Sequence, residues 1–168
     1  GVDYQNPSCT ARVDINIADG SEQNKYQIRN YADFEAFLNN DALVENKYYV
    51  LTTDISLNRQ YVNANYVLNN NLSGMFTSTS QNQTYKFNIY GLNLKFSEEN
   101  GTKLADMALF ARVGADNLKL EYITIENFVI TVESSQTNEI NVAALVAKAE
   151  KGLQLLNCRV TGSINIKQ

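Results

Sequence analysis

Apolar and polar positions alternate along most of the chain, and the alternation breaks only at short polar clusters, the pattern of half-buried β-strands. Such runs predict strands over 48–57, 75–78, 85–96, 108–113, 118–132, 142–149 and 153–166. Near the start, ARVDINI places Val13, Ile15 and Ile17 on one face and Asp14 and Asn16 on the other, and Asp19-Gly20 closes the run with a turn. Only NYADFEAFLNN departs from this rhythm. There Asn30 is a capping residue, Asp33 stands three positions on as in a capping box, and Tyr31, Phe34, Phe37 and Leu38 share a helical face that ends at Asn39 and Asn40.

The later strands repeat. ALFARVGADNLKLEYITIENFVITV, from Ala108, and ALVAKAEKGLQLLNCRVTGSINI, from Ala144, share a small-apolar-apolar-small start, a short polar turn and a long alternating run. Setting Leu109 on Leu145, Leu120 on Leu155, Ile123 on Cys158 and Ile125 on Val160 requires a period of about 35 residues with one deletion, a solenoid spacing. GMFTSTSQNQTYKFNIYGLNLKF, from Gly74, reads as a weaker third copy, with Met75 and Phe76 at its start and Phe87, Ile89, Leu92 and Leu94 supplying the alternation. Strands repeating at this period with no helix between them predict an all-β, right-handed parallel β-helix, in which each coil stacks about 4.8 Å above the last. Gly162 is expected at a bend too crowded for a side chain. The helix at 31–39 is expected to plug the N-terminal end. The division that follows is an N-terminal strand segment, 1–25, and a solenoid, 26–168. With no cap at its C-terminal side, the solenoid is expected to continue beyond 168 as part of a longer, monomeric chain.

YVLTTDISL, Tyr49 to Leu57, after a short helix, resembles the opening segment of bacterial surface solenoids, a Tyr-x-Leu-x-x-Asp-Ile-x-Leu strand. The two long copies are similar to the GLUG-type repeat of secreted Gram-positive and Bacteroidetes proteins, including adhesins and the non-catalytic region of immunoglobulin A proteases. NCRVTGSI, from Asn157, fits that repeat well, whereas its usual Gly-Leu start stands here as Ala108-Leu109 and Ala144-Leu145. The resemblance covers roughly Tyr26 to Ile166. It implies an extracellular or cell-surface location and an architectural or binding role, and it carries no catalytic residue.

Composition narrows the chemistry. The chain has 168 residues, enough for a core without staples, and no apolar run approaches the roughly 20 residues of a membrane helix. A net charge of −4 with no basic cluster disfavours nucleic acid and anionic lipid. The absence of His removes imidazole-dependent hydrolases and zinc sites built on it. Asn makes up about one residue in seven, which points to turn-rich β structure. Neither a cofactor nor a metal is implied: calcium-binding nonapeptides are absent, no regular Thr ranks run along a face, and a calcium ion near Asp14 or Asp19 is not predicted.

Two sets of residues are candidates for a site. Asp54, Asp106, Asp116 and Glu121, with Arg112 or Lys119, are the groups a carbohydrate-active β-helix enzyme would use, which needs two carboxyl groups a few ångströms apart. No spacing forces that proximity, so they read as solvated charge. The alternative to a binding role is therefore such a lyase or hydrolase, or a passive domain of a large secreted protease. The second set lies in NRQYVNANYVLNNNLSG, from Asn58, long for a connection. Tyr61 and Tyr66 offer rings to a sugar or a host protein, and Asn63 and Asn65 offer amide hydrogen bonds. Cys158, aligned on an inward column, is expected as a buried, reduced thiol. A disulfide to Cys9 would need the N-terminal segment to run the length of the tube. Three Asn-x-Ser/Thr matches, at Asn71, Asn82 and Asn100, are expected by chance in so Asn-rich a chain.

Overall fold

The computed structural model describes residues 17–39 and 45–168. Cys9, Asp14 and all but the final residue of the strand expected over 11–17 lie outside the described residues. The chain winds as an all-β parallel solenoid of about three turns.

The lowest rung is β1 (Tyr26–Ile28), from which the chain passes into α1 (Tyr31–Asn39). The next turn runs through β2 (Tyr48–Leu51), β3 (Ile55–Ser56), β4 (Gln60–Val62) and β5 (Val67–Leu68). Above it come β6 (Asn71–Ser73), the strands β7 (Met75–Ser78) and β8 (Gln83–Lys86), then β9 (Asn88–Tyr90), β10 (Asn93–Ser97), β11 (Asp106–Met107) and β12 (Phe110–Val113). The third turn is β13 (Leu118–Glu121), β14 (Thr124–Glu133), β15 (Asn141–Val142) and β16 (Val146–Lys148), and β17 (Leu153–Leu156) and β18 (Arg159–Lys167) lie on top. The first face is thus β1-β2-β6-β13-β17, the second is built around β14 between β9, β10 and β18, and the third is β5-β12-β16. Every pairing on these faces is parallel.

Like stands on like along the interior. Leu120 pairs with Leu155 and with Leu72, Ile125 with Val160 and Ile89, and Tyr61 lies below Leu94, Ile130 and Ile164 in one column. Leu72, Ile89, Leu94, Leu120, Ile125 and Ile130 are all buried, each contributing about 2 kcal/mol of apolar burial. The one-residue deletion falls where expected, since Phe110 pairs with Val146 at a spacing of 36 and Leu118 with Leu153 at 35. A bulge follows between Ile125 and Phe128, where Asn127 takes a positive φ of 57°. Gly162 sits at that bend: a Cβ there would lie 2.1 Å from the Phe128 carbonyl oxygen.

Helix α1 forms over the residues expected. Asn30 Oδ1 accepts the Asp33 N–H at 2.8 Å, but Asp33 returns its carboxylate to the N–H and guanidinium of Arg29 rather than to Asn30. Phe34, Phe37 and Leu38 are buried, with the Phe37 ring against Tyr49 and Phe110. The helix thereby covers the interior at the β1 end. Tyr31 is more exposed than those three and turns toward Tyr61.

Two expectations are corrected. Met75 and Phe76 do not start a third repeat copy: β7 and β8 pair antiparallel, Met75 with Lys86 and Phe76 with Tyr85, as a hairpin leaving the tube before β9 resumes it. And 58–74 is not a long connection, because β4, β5 and β6 lie within it. Strands of two or three residues separated by Asn are too short for alternation to be legible.

Candidate functional site

Where α1 meets the first full turn, the sequence stacks phenols around one carboxylate. Tyr31 and Glu35 lie four residues apart on α1 and so share a face, while β4 brings up Tyr61 beside Arg59. The Tyr61 hydroxyl donates to Glu35 Oε1 and lies 3.2 Å from that of Tyr31. Arg59 Nη2 binds Glu35 Oε2 at 2.9 Å, its Nε reaches Oε1 at 3.3 Å, and its guanidinium sits 4.2 Å from the Tyr61 ring centre. Desolvation pushes the Glu35 carboxyl up, but hydrogen bonds from Tyr31, Tyr61 and Arg59 outweigh it and leave it below its ordinary value. Desolvation and the bond to Glu35 push the Tyr61 phenol well above its ordinary value.

Beside this cluster opens a cleft of about 480 Å³, lined by Arg59, Tyr61, Ala64, Asn65, Tyr66 and Asn69 among others. A second cleft of about 380 Å³ adjoins it, and Ala64 and Asn65 line both. All four residues singled out from the sequence line one or other cleft, yet they are not equivalent. Tyr61 is only 2% exposed, a member of the interior column with its ring already covered by Arg59 and by the edge of Tyr66. Asn63, at a positive φ of 48°, accepts the Ser97 N–H at 2.9 Å and so ties one turn to the next. Asn65 is exposed and Tyr66 half-buried, which leaves these two to face a ligand. Burial, followed by the nearby Glu35 charge, pushes the Tyr66 phenol up, so it stays a neutral donor at physiological pH. Glu35 and Arg59 escaped the sequence reading, and Tyr31 was read there only as part of the apolar helix face, although the i,i+4 spacing of Tyr31 and Glu35 was the available signal.

The candidate acid–base groups have other tasks. Asp54 Oδ1 accepts the Asn88 N–H at 2.8 Å, Asp116 Oδ1 the Gly152 N–H at 3.1 Å, and Asp106 Oδ1 the Asn141 side-chain amide at 2.8 Å. Each bond spans 34 to 36 residues, one coil of the tube. Lys119 pairs with Glu22 at 3.5 Å, and Glu121 shares with it a crease on the first face. Asp106 and Arg112 both line the second cleft. Among the described residues no group of three or more Cys, Asp or Glu is placed to hold a metal ion. Cys158 is a free thiol, as expected, but only half-buried, since nothing described covers the top rung; its Sγ donates to the Leu120 carbonyl at 3.2 Å. Among the described residues no helix is long and apolar enough to cross a membrane.

The fold and these clefts define the class, a parallel β-solenoid with a helix-covered end and a Tyr- and Asn-lined flank. Compared with protein-family models, curated proteins and solved structures, the chain matches none.

Proposed function

We propose that the chain is a non-enzymatic β-helical module of an exported bacterial surface protein, a stiff scaffold that binds host protein or glycan through the cleft at Asn65 and Tyr66. One observation carries the non-enzymatic part: Asp54, Asp106 and Asp116 are each spent on a hydrogen bond from one coil to the next. A carboxylate fixed in that way holds the frame and is poorly placed to trade protons with a substrate. The GLUG-type resemblance supports the location and the adhesive role. The cleft supports the binding mode, an amphipathic ring beside an exposed amide, the pairing that suits a sugar face and its hydroxyls.

Glycan arrays and pull-downs on host matrix proteins test this. The whole chain is expected to bind at least one member, and Asn65→Ala with Tyr66→Ala to weaken it by about tenfold or more, in line with the loss of one anchoring side chain. Silence across both panels removes the adhesive role, and turnover of an acidic polysaccharide removes the non-enzymatic one.

A further inference from the structure

The flank of the solenoid is notched by a difference in coil length. From the second face to the third, the first turn crosses in five residues, Val62 to Val67, whereas the second takes seventeen, Lys95 to Arg112, and the third again seventeen, Thr131 to Lys148. The end points stand in register, Val62 under Lys95 and Thr131, and Val67 under Arg112 and Lys148. The second turn therefore overhangs the first. Its extra length carries β11, which pairs with β15 above and, among the described residues, with no strand below. The cleft of about 380 Å³ lies at this overhang, lined by Asn63, Ala64 and Asn65 of the short crossing and by Leu104, Ala105 and Asp106 of the long one.

The overhang turns main-chain polar groups toward that space. The Asn141 N–H donates to the Ala105 carbonyl at 2.7 Å and the Ala143 N–H to the Met107 carbonyl at 3.0 Å, so Ala105 and Met107 face β15. Alternation along a parallel ladder then points the Asp106 N–H and C=O the other way, where no described strand meets them.

The cleft also holds cations with no partner. Arg112 and Lys103 both line it and both are exposed, and among the described residues neither has an ion pair or a side-chain hydrogen bond. On the third face Arg112 stands between Val67 and Lys148, so no carboxylate neighbours it there. Of the two acids lining the cleft, Asp106 is bound by the Asn141 amide, and Glu99 sits on an exposed turn closed by the Thr102 N–H. An exposed, unpaired guanidinium is suited to a planar carboxylate, which it binds through two parallel N–H donors. A net charge of −4 argues against a polyanion held on a broad basic patch, and a single carboxylate needs no such patch.

We propose that this cleft binds the carboxylate of an acidic saccharide on Arg112 and Lys103, with the Asp106 main chain on ring hydroxyls and the next ring passing across Asn65 to Tyr66 in the adjoining cleft. Resting on the saccharide role proposed for the Asn65–Tyr66 cleft, this assigns its sugar to a chemical class. A uronic or a sialic acid supplies such a carboxylate, and two probes tell them apart.

Titration calorimetry on the whole chain tests this with two matched pairs: a hyaluronan tetrasaccharide and its carboxyl-reduced form, and 3′-sialyllactose and its carboxyl-reduced form. At least one acid is expected to bind about tenfold tighter than its reduced partner, in keeping with charge-assisted hydrogen bonds to one guanidinium. The pair that shows the preference distinguishes uronate from sialate. Arg112→Gln is expected to erase the preference while leaving the affinity for the reduced sugar unchanged, and Glu99→Gln, which removes a like charge from the cleft, to widen it. Arg159→Gln loses the same charge from β18, outside both clefts, and keeps the preference. Equal affinity for acid and reduced form, a preference that survives Arg112→Gln, or an equal loss in Arg159→Gln overturns the acidic class and leaves the saccharide cleft standing. No binding of any of these sugars overturns both.

Discussion

At the residue scale the abundance of Asn has two physical uses. Among the described residues, seven of the eight non-glycine residues with positive φ are Asn, placed at turns between strands and, for Asn127, at the bulge within β14. Other Asn side chains replace missing main-chain partners at the corners. Asn71 is the fullest case: buried, it accepts the Lys119 N–H from the coil above and donates to the Lys47 carbonyl in the coil below. Asn71→Ala strands both groups and is expected to cost about 2 kcal/mol or more, read as a lower urea midpoint. Glu35 yields a pH-dependent prediction. Its folded pKa lies below its unfolded value, so its contribution is present above the unfolded value near 4.3 and is lost as pH falls through the folded one. Glu35→Gln should therefore lower the urea midpoint at pH 7, and the gap to the unaltered chain should narrow at about pH 3.

At the element scale, burial depends on which rung a strand occupies rather than on its own sequence. β13 and β17 carry the same Leu-x-Leu alternation, yet Leu120 is fully buried and Leu155 half out. Leu120→Ala is expected to cost about 3 kcal/mol, and Leu155→Ala less than about 1 kcal/mol; equal losses in denaturant titrations would contradict the assigned rungs. The same strands show what was legible in sequence. β13, β14, β17 and β18 are long enough for alternation and repeat to agree, and their pairings of Leu120 with Leu155 and Ile125 with Val160 follow from the sequence alone. β4, β5 and β6 are two or three residues long, and the hairpin of β7 and β8 imitates a repeat start because Met75-Phe76 has the right composition in the wrong direction. The candidate site was half legible for a related reason. Tyr61 and Tyr66 stand out as aromatic residues, but only the column position of Tyr61, under Leu94 and Ile130, reveals that its ring is interior.

At the scale of the whole molecule, each coil touches chiefly the coil above and below, so stability is a sum of rung and interface contributions and opening proceeds from the less covered end. The two ends differ. At the β1 end Phe34, Phe37 and Leu38 of α1 close the interior, and Glu35 ties the helix to Arg59 and Tyr61 of the first full turn. At the other end β17 and β18 have one neighbouring rung each and their apolar residues meet solvent. Native-state hydrogen exchange on the single chain should accordingly be graded. Amides of β13 and the first half of β14, held on both sides, exchange only by global unfolding, and those of β17 and β18 exchange at lower free energy. Within β18 the exchange should also alternate: Asn165, turned toward β14, is protected, while Ile164 and Ile166, whose N–H groups have no partner strand, exchange as fast as a loop. Uniform protection along β18 in a monomeric sample would mean that its outer edge is already covered within one molecule, and would contradict the assignment of that edge as free.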